Sequence, residues 1–233
     1  MLGQFPYQAG IIIEYTNQPN VAVCGASLIT ANRLTTAAHC WSDSFSQALQ
    51  LTVVLGSTTV FAGGTRIITQ NVVTHPGWNV LDTGLLNDVA IIYLSSPVTF
   101  SNTIAPIALP SGNELNQDFT GATVTASGFG LTQDGGSIAA NQFLSHVTLN
   151  VISNTECRSV FGSTIQESIL CTRGPIGQNI CTSDSGGPLA TISNNRPVLI
   201  GIIGFGSVWG CEIDMPSGYA RITSFMDFIN QNL

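Results

Sequence analysis

Residues 181–189 read Cys181-Thr182-Ser183-Asp184-Ser185-Gly186-Gly187-Pro188-Leu189. A serine followed by two glycines suits a tight loop, since glycine adopts backbone angles closed to other residues. Two further segments carry groups of comparable chemical interest. One is Leu34-Thr-Thr-Ala-Ala-His39-Cys40, and the other is Asn87-Asp88 at the head of the apolar run Val89 to Leu94. Each taken alone is a modest signal. A histidine beside a cysteine is usually structural, and an aspartate opening an apolar strand is usually a turn residue.

Around these segments strand signals dominate. Gly10 to Tyr15, Gln50 to Leu55, Thr65 to Thr74, Val89 to Leu94, Thr123 to Gly128, Ser145 to Ile152 and Pro197 to Phe205 are rich in Val, Ile, Thr and aromatics. Gly, Asn, Ser and Pro punctuate the gaps. Many short strands separated by turns predict an all-β barrel or sandwich. Two helices are expected. Ser153-Asn-Thr-Glu156 reads as a capping box in which hydroxyl and carboxylate close the first turn. Phe225, Phe228 and Ile229 form an apolar stripe at the C-terminus. Asn102 to Asn113, with Pro106 and Pro110, is the linker candidate between two halves of similar size.

Composition narrows the function classes. Only 8% of the 233 residues are charged, against 44% hydrophobic. No apolar run approaches the roughly 20 residues of a membrane-spanning helix. Disordered chains have the opposite composition, apolar-poor and charge-rich. A net charge of −7 argues against a nucleic-acid partner, which needs basic patches for phosphates. The six basic residues are Arg33, Arg66, Arg158, Arg173, Arg196 and Arg221, and lysine is absent.

The six cysteines are Cys24, Cys40, Cys157, Cys171, Cys181 and Cys211, with no C-x-x-C spacing. Zinc sites usually offer close Cys or His pairs. Three disulfides are therefore the better reading, and they imply an oxidising compartment and a secreted protein. Spacing alone leaves about 15 pairings open. Met1 opens no signal peptide, because the segment lacks a basic region and Pro6 and Gln8 interrupt any apolar one. No N-x-Ser/Thr sequon occurs.

In the order His39, Asp88, Ser185, the three segments resemble the chymotrypsin family of serine endopeptidases. The resemblance runs from Gly3-Gln-Phe-Pro-Tyr-Gln to Tyr219-Ala-Arg-Ile. It implies two six-stranded antiparallel barrels with a C-terminal helix. Residues 1–105 would form the barrel carrying His39 and Asp88, residues 106–222 the barrel carrying Ser185, and 223–233 the helix. The Ser-His-Asp template is this family's own. A serine hydroxyl is a weak nucleophile until a base takes its proton. Imidazole titrates near neutrality and suits that role. Asp88 would hold the His39 tautomer, and the backbone N–H groups of Ser183 and Ser185 would face the oxyanion. The implied disulfides are Cys24–Cys40, Cys157–Cys171 and Cys181–Cys211.

Specificity follows from the same resemblance. Trypsin-like members place an aspartate six residues before the nucleophile, where this chain has Asn179. Gly206 and Ser217 would line the walls. A roomy uncharged pocket favours Phe, Tyr, Leu or Met at P1, the residue before the cleaved bond, and Asn179 with Ser217 leaves acceptance of Gln or Asn as the alternative. Gly204-Phe205-Gly206 would pair with extended substrate backbone, as in strand addition, and Phe205 would flank the adjacent subsite. Partners would be protein or peptide substrates and protein protease inhibitors, and the family default is a monomer. No cofactor is implied. Calcium is not expected, since Ser57 to His75 contains no Asp or Glu.

The chain departs from the family pattern in three places. Ser183 stands where glycine is nearly invariant, at a cost of about 1–2 kcal/mol if its φ is positive. Gly204 replaces a serine that helps hold the triad carboxylate. The chain also starts about seven residues after the usual Ile-Val/Ile-x-Gly start, whose freed amino group pairs with the aspartate matching Asp184. The expectation is a fragment of a zymogen-derived enzyme. A rival reading is a silent homologue acting as a binding or adaptor module, and the retained His39, Asp88 and Ser185 weigh against it. His75 and His146 read as structural. An arginine-only cation set stays charged where lysine would titrate, which fits a digestive enzyme of an alkaline gut lumen.

Overall fold

In a computed structural model the described residues are 1–16, 18–80 and 85–233. The elements in chain order are β1 (Gln8–Tyr15), β2 (Gln18–Thr30), β3 (Arg33–Thr36), β4 (Ala48–Leu55), β5 (Thr65–Thr69), β6 (Val72–Thr74), β7 (Ala90–Tyr93), β8 (Thr123–Gly128), β9 (Ser145–Ile152), α1 (Asn154–Phe161), β10 (Ile169–Arg173), β11 (Pro188–Ser193), β12 (Arg196–Phe205), β13 (Ser217–Arg221) and α2 (Met226–Gln231). Short 3-10 turns add Ala38–Cys40, Gly112–Asn116, Gly162–Thr164 and Ile222–Ser224. No helix of the described residues is long and apolar enough to cross a membrane.

The strands form two antiparallel sheets. The second is a closed barrel in the order β10-β13-β12-β11-β8-β9, with β10 also pairing to β9. The first has seven strands in the order β5-β4-β1-β2-β3-β7-β6. Its two ends, β5 and β6, are neighbours in the chain, separated only by Gln70 and Asn71. A flat sheet of that width would hold its edges about 29 Å apart. Two linking residues span only about 10 Å, so the sheet must curl round on itself. The strand expected over Thr65 to Thr74 is thus broken at Gln70-Asn71, which turns six strands into seven.

Burial follows the residue patterns. β1 carries Ile11, Ile12 and Ile13 and is buried on both faces, whereas β9 alternates between exposed and buried. Thr36 of β3 pairs with Ala90 of β7. The helix α1 has Ser153 as its cap, whose side chain accepts from the Glu156 N–H at 3.1 Å. The reciprocal half of the expected capping box is not made there; the Glu156 carboxylate instead faces Arg173 at 3.8 Å. A Ser-to-Glu bond of that kind occurs in the expected linker, where the Ser111 N–H donates to Glu114 Oε2 at 2.9 Å. Arg196 reaches the same oxygen at 2.8 Å.

Helix α2 follows the barrel in sequence but docks on the first sheet. Its Phe228 and Ile229 join the core of that half. Arg33 Nε donates to Asn232 O at 2.9 Å, and Tyr93 Oη to Asn232 Oδ1 at 2.8 Å. Between the sheets the backbones approach closely. A Cβ on Gly25 would stand 2.7 Å from Gly187 Cα, so no side chain fits there. Beside it, Ser127 Oγ of β8 donates to the buried Gln8 Oε1 of β1 at 2.7 Å. His39, Asp88 and Ser185 belong to this neighbourhood.

Candidate active site

The β3–β7 register assembles the first part of the site. His39 lies three residues beyond Thr36, and Asp88 two residues before Ala90. The Thr36–Ala90 pair therefore brings together groups 49 residues apart. His39 sits in the 3-10 turn Ala38–Cys40, and the Cys24–Cys40 disulfide, Cα atoms 6.3 Å apart, ties that turn to β2. Asp88 is 3% exposed. Its Oδ2 lies 2.7 Å from His39 Nδ1, and its Oδ1 accepts the His39 backbone N–H at 2.9 Å. An ionised carboxylate only accepts, so Nδ1 carries the proton and Nε2 is left with its lone pair. Burial pulls the imidazole down; the Asp88 charge and hydrogen bond, with the field of Asp43, outweigh it and hold His39 above its ordinary value.

The second part is the loop before β11. The Asp184 N–H donates to Cys181 O at 3.1 Å, the Gly187 N–H to Asp184 O at 3.0 Å, and the Gly186 N–H to Ile203 O at 2.8 Å. Ser185 O accepts the Gly25 N–H of β2 at 2.7 Å, which ties the serine backbone to the half that carries His39. Gly186 has φ 81°, and a Cβ on it would run into Thr36 Oγ1 and Gly25 O. Ser183 occupies the left-handed region at φ 73°. Among the described residues, the N–H groups of Ser183 and Ser185 donate to no protein acceptor. Ser185 Oγ likewise makes no hydrogen bond there, and His39 Nε2 is open.

Asp184 is 8% exposed. Its Oδ1 accepts the Gly130 N–H at 2.8 Å and its Oδ2 the Cys181 N–H at 2.9 Å. No cation pairs with it among the described residues, and burial pushes its carboxyl up to about 6. A cavity of about 260 Å³ opens beside it, lined by Leu131, His146, Val147 and Ile203 among others.

A second cavity of about 400 Å³ adjoins Ser185. Asn179, Ser183, Gly204, Gly206 and Ser217 line it. The Asn179 amide is engaged internally. Its Oδ1 accepts from Ser217 Oγ at 2.7 Å and from the Ile180 N–H at 2.9 Å, and its Nδ2 donates to Met215 O at 2.8 Å. Phe205 lines the same cavity and meets Phe161 edge-on at 5.3 Å. The Cys181–Cys211 disulfide joins the Ser185 loop to the opposite wall, and Cys157–Cys171 pins α1 to β10.

Two contributors were not read from the sequence. Asp134 lines the larger cavity and accepts the Cys211 N–H at 2.7 Å; its only sequence signal is the turn-forming Asp134-Gly135-Gly136. His146, read as lacking a chemical partner, packs against Phe5 at 5.1 Å and lines the cavity beside Asp184. Two clusters with metal-ligand geometry, Cys24/His39/Cys40 and Asp134/Cys181/Cys211, each contain two half-cystines. Disulfide sulfurs are not the thiolates that bind metals.

Comparison with known proteins gives a consistent result. A family model described as Trypsin matches residues 1–229. The chain is 38% identical over 232 residues to a collagenase of Hypoderma lineatum, covering 99% of this chain and 83% of that protein. It is 33% identical over 241 residues to Trypsin-1 of Astacus astacus, covering 100% and 96%. It is 32% identical over 235 residues to Trypsin beta of Drosophila erecta, covering 99% and 85%. A solved structure of HL collagenase superposes with a TM-score of 0.87 at 38% identity, over 99% of this chain and 94% of that one.

Proposed function

Since the chain belongs to the trypsin family and is a serine endopeptidase acting on protein substrates, we propose that Ser185 is its nucleophile, His39 its general base and acid, and Asp88 the carboxylate that orients the base. The observation that carries this reading is the two-point hold of Asp88 on His39, at 2.7 and 2.9 Å. It leaves Nε2 as the proton acceptor and raises its basicity.

Ser185 Oγ attacks the peptide carbonyl while its proton passes to His39 Nε2. The imidazolium is stabilised by Asp88, which keeps its charge. The free N–H groups of Ser183 and Ser185 receive the developing oxyanion. Collapse expels the amine, which takes the proton from His39, and leaves an acyl group on Ser185. Water then repeats the sequence against the ester. The Ser185–His39 hydrogen bond, open here, closes with substrate, as such bonds often do. A freed amino terminus entering the cavity beside Asp184 would supply the cation that this carboxylate lacks.

Specificity comes from the larger cavity. Its Asn179 amide is already committed to Ser217, Ile180 and Met215, so this residue offers substrate one spare N–H and no charge, while the Asp134 carboxylate in the same lining is bound to the Cys211 and Glu212 N–H groups. Gly206 and Ser217 take little space. The preferred P1 residue is therefore large and apolar: Phe, Tyr, Leu or Met. Residues Gly204 to Gly206 pair with the substrate backbone. Three disulfides and the lysine-free cation set support secretion into an alkaline digestive lumen, where protein inhibitors are natural partners and the enzyme acts as a monomer. Covalent labelling of Ser185 by an organofluorophosphate, followed by profiling on a P1-varied peptide library, tests the reading. Preferential cleavage after Arg would overturn the specificity, and refusal of the label by processed protein would overturn the catalytic assignment. Native collagen belongs in the substrate panel, given the name of the Hypoderma relative.

A further inference from the structure

The loop Thr74-His75-Pro76-Gly77-Trp78 takes no part in the chemistry above, yet its hydrogen bonds run to both sides of the His39–Asp88 pair. Gly77 O accepts from Asn87 Nδ2 at 3.0 Å. The Gly77 N–H donates to His75 Nδ1 at 3.1 Å, and the His75 N–H to Val89 O at 2.8 Å. One loop thus holds the residue before Asp88 and the residue after it. On its other side, Trp78 Nε1 donates to Ser42 O at 3.3 Å, and the Ser42 N–H donates to Ala38 O in the turn that carries His39, at 3.0 Å.

Asn87 itself is in the left-handed region at φ 57°. L-residues avoid this region, and asparagine is among the few that tolerate it. Such a residue persists only where its surroundings fix it. Here the fixing contacts are its side-chain bond to Gly77 and the Val89 N–H donated to Asn87 O at 2.8 Å, which folds the backbone tightly around Asp88. His75 is in turn wedged edge-on against Phe225 and Phe228, at 5.3 and 5.0 Å, so the loop is backed by the docked C-terminal helix.

We propose that the 75–78 loop is a positioning clip. Through Asn87 it sets the orientation of the Asp88 carboxylate, and through Trp78 the turn of His39, so that both Asp88 bonds to His39 form together. Asn87, Gly77 and Trp78 are positioning residues, since none of them lines the cavity beside Ser185. The kinetic part of this inference rests on the catalytic reading above; the effect on the His39–Asp88 pair does not.

The test is Asn87→Gly. Glycine adopts φ 57° freely, so the backbone is kept while the bond to Gly77 is lost. Trp78→Phe is the companion, keeping an aromatic ring while removing the Nε1 donor together with part of the indole. The readouts are kcat and KM on a peptide substrate, the titration of His39 by NMR, and the melting temperature. Expected for Asn87→Gly is a kcat lower by about tenfold with KM within about twofold, as for a small misplacement of a reacting group. The His39 pKa also falls while the melting temperature is held. Trp78→Phe moves the same quantities in the same direction by less, and the double variant is non-additive. An unchanged His39 titration in both variants, or a kcat loss that only follows melting temperature, overturns the clip. If the wild-type protein neither cleaves peptides nor takes the serine label, the catalytic reading fails, and the His39 titration still decides the clip.

Discussion

Two buried carboxylates flank the candidate site and are held in opposite ways. Asp88 is 3% exposed, and both its oxygens bind His39, one through the imidazole and one through the backbone N–H. Asp184 is 8% exposed, and both its oxygens bind backbone N–H groups only. A buried charge is tolerated when it is paired and costly when it is not. The consequence is visible in their neighbours: the partner of Asp88 is pushed towards greater basicity, while Asp184 itself is pushed up to about 6. The His39 side of the site is assembled by the long-range pairing of β3 with β7. The Ser185 side holds a left-handed Ser183 and a carboxylate still short of a cation.

The largest expected effect breaks the assembled side. Asp88→Asn keeps the shape of the side chain but lets an amide N–H face Nδ1, which forces the wrong imidazole tautomer. A kcat loss of about 10⁴-fold is expected at neutral pH, checked by steady-state kinetics on an apolar-P1 peptide. The same side sets the acid limb of the wild-type profile. Because His39 is raised, activity falls as pH drops through a value above the ordinary 6.5. A limb below that value would mean that Asp88 does not carry its charge beside His39.

The next effect tests the unpaired side. The ordinary carboxyl value of Asp184 is 3.8, and burial raises it to about 6. The folded chain therefore holds a proton that the unfolded chain has released. This group's contribution to stability is full below about 4 and is lost as pH rises through about 6, a change on the order of 3 kcal/mol. The melting temperature should fall between pH 4 and 7, and Asp184→Asn should flatten that slope. The raised His39 adds a slope of the same sign at higher pH, so the difference between variant and parent isolates Asp184. A cation placed in the cavity beside Asp184 lowers its pKa and removes this fall: with the carboxyl at or below its ordinary value of 3.8, its contribution to stability is flat from about pH 4 to 7 and is lost only on further acidification. Calorimetry across pH reads which state a preparation is in.

The same contrast explains what could be read from the chain. His39, Asp88 and Ser185 stood out because their segments carry distinctive neighbours, and β8 and β9 were bounded to the residue because their β-rich composition ends at clear turns. β2, β3, β10, β11 and β13 were not read. Arg33-Leu-Thr-Thr and Ser217-Gly-Tyr-Ala-Arg are four and five residues long with no alternation, and partners distant in sequence make them strands. The break at Gln70-Asn71 was invisible because both flanks are equally β-prone. Ser153 capped its helix as read, but Glu156 answers to Arg173, a tertiary partner that local pattern does not supply. Asn87 carries no local mark of its left-handed backbone, since the bond that holds it comes from Gly77, ten residues earlier.

A smaller effect sharpens the hold on Asp88. A Cβ on Gly204 would stand 3.8 Å from Asp88 Oδ2 and 3.3 Å from Gly218 O. A serine there needs the neighbouring backbone to give by a few tenths of an ångström, and its hydroxyl then reaches the carboxylate. A hydrogen bond to a charge is worth about 1.5–3 kcal/mol before that adjustment. Gly204→Ser should raise the melting temperature and increase kcat/KM by less than about tenfold. A loss of activity would show that the β12–β13 spacing at Gly218 does not relax.

The smallest effect lies in the loop of Ser183 and Ser185. Ser183 has φ 73°, where a Cβ costs about 1–2 kcal/mol. Replacing it by glycine relieves that strain but returns conformational freedom to the unfolded chain, at a cost of about 0.4–1 kcal/mol. The two terms oppose, so Ser183→Gly should gain about 1.6 kcal/mol at most, seen as a small rise in denaturation midpoint. Its N–H group is the same in either residue and lacks a protein acceptor among the described residues, so the proposed oxyanion donor is retained. The change in kcat should therefore stay below tenfold. Removing one such donor costs about 10²–10³ in rate, so a hundredfold gain in the glycine variant would mean that Ser183 turns its N–H away from the substrate. That outcome would move the weakness of the Ser185 side from the unpaired Asp184 to the backbone of the loop itself.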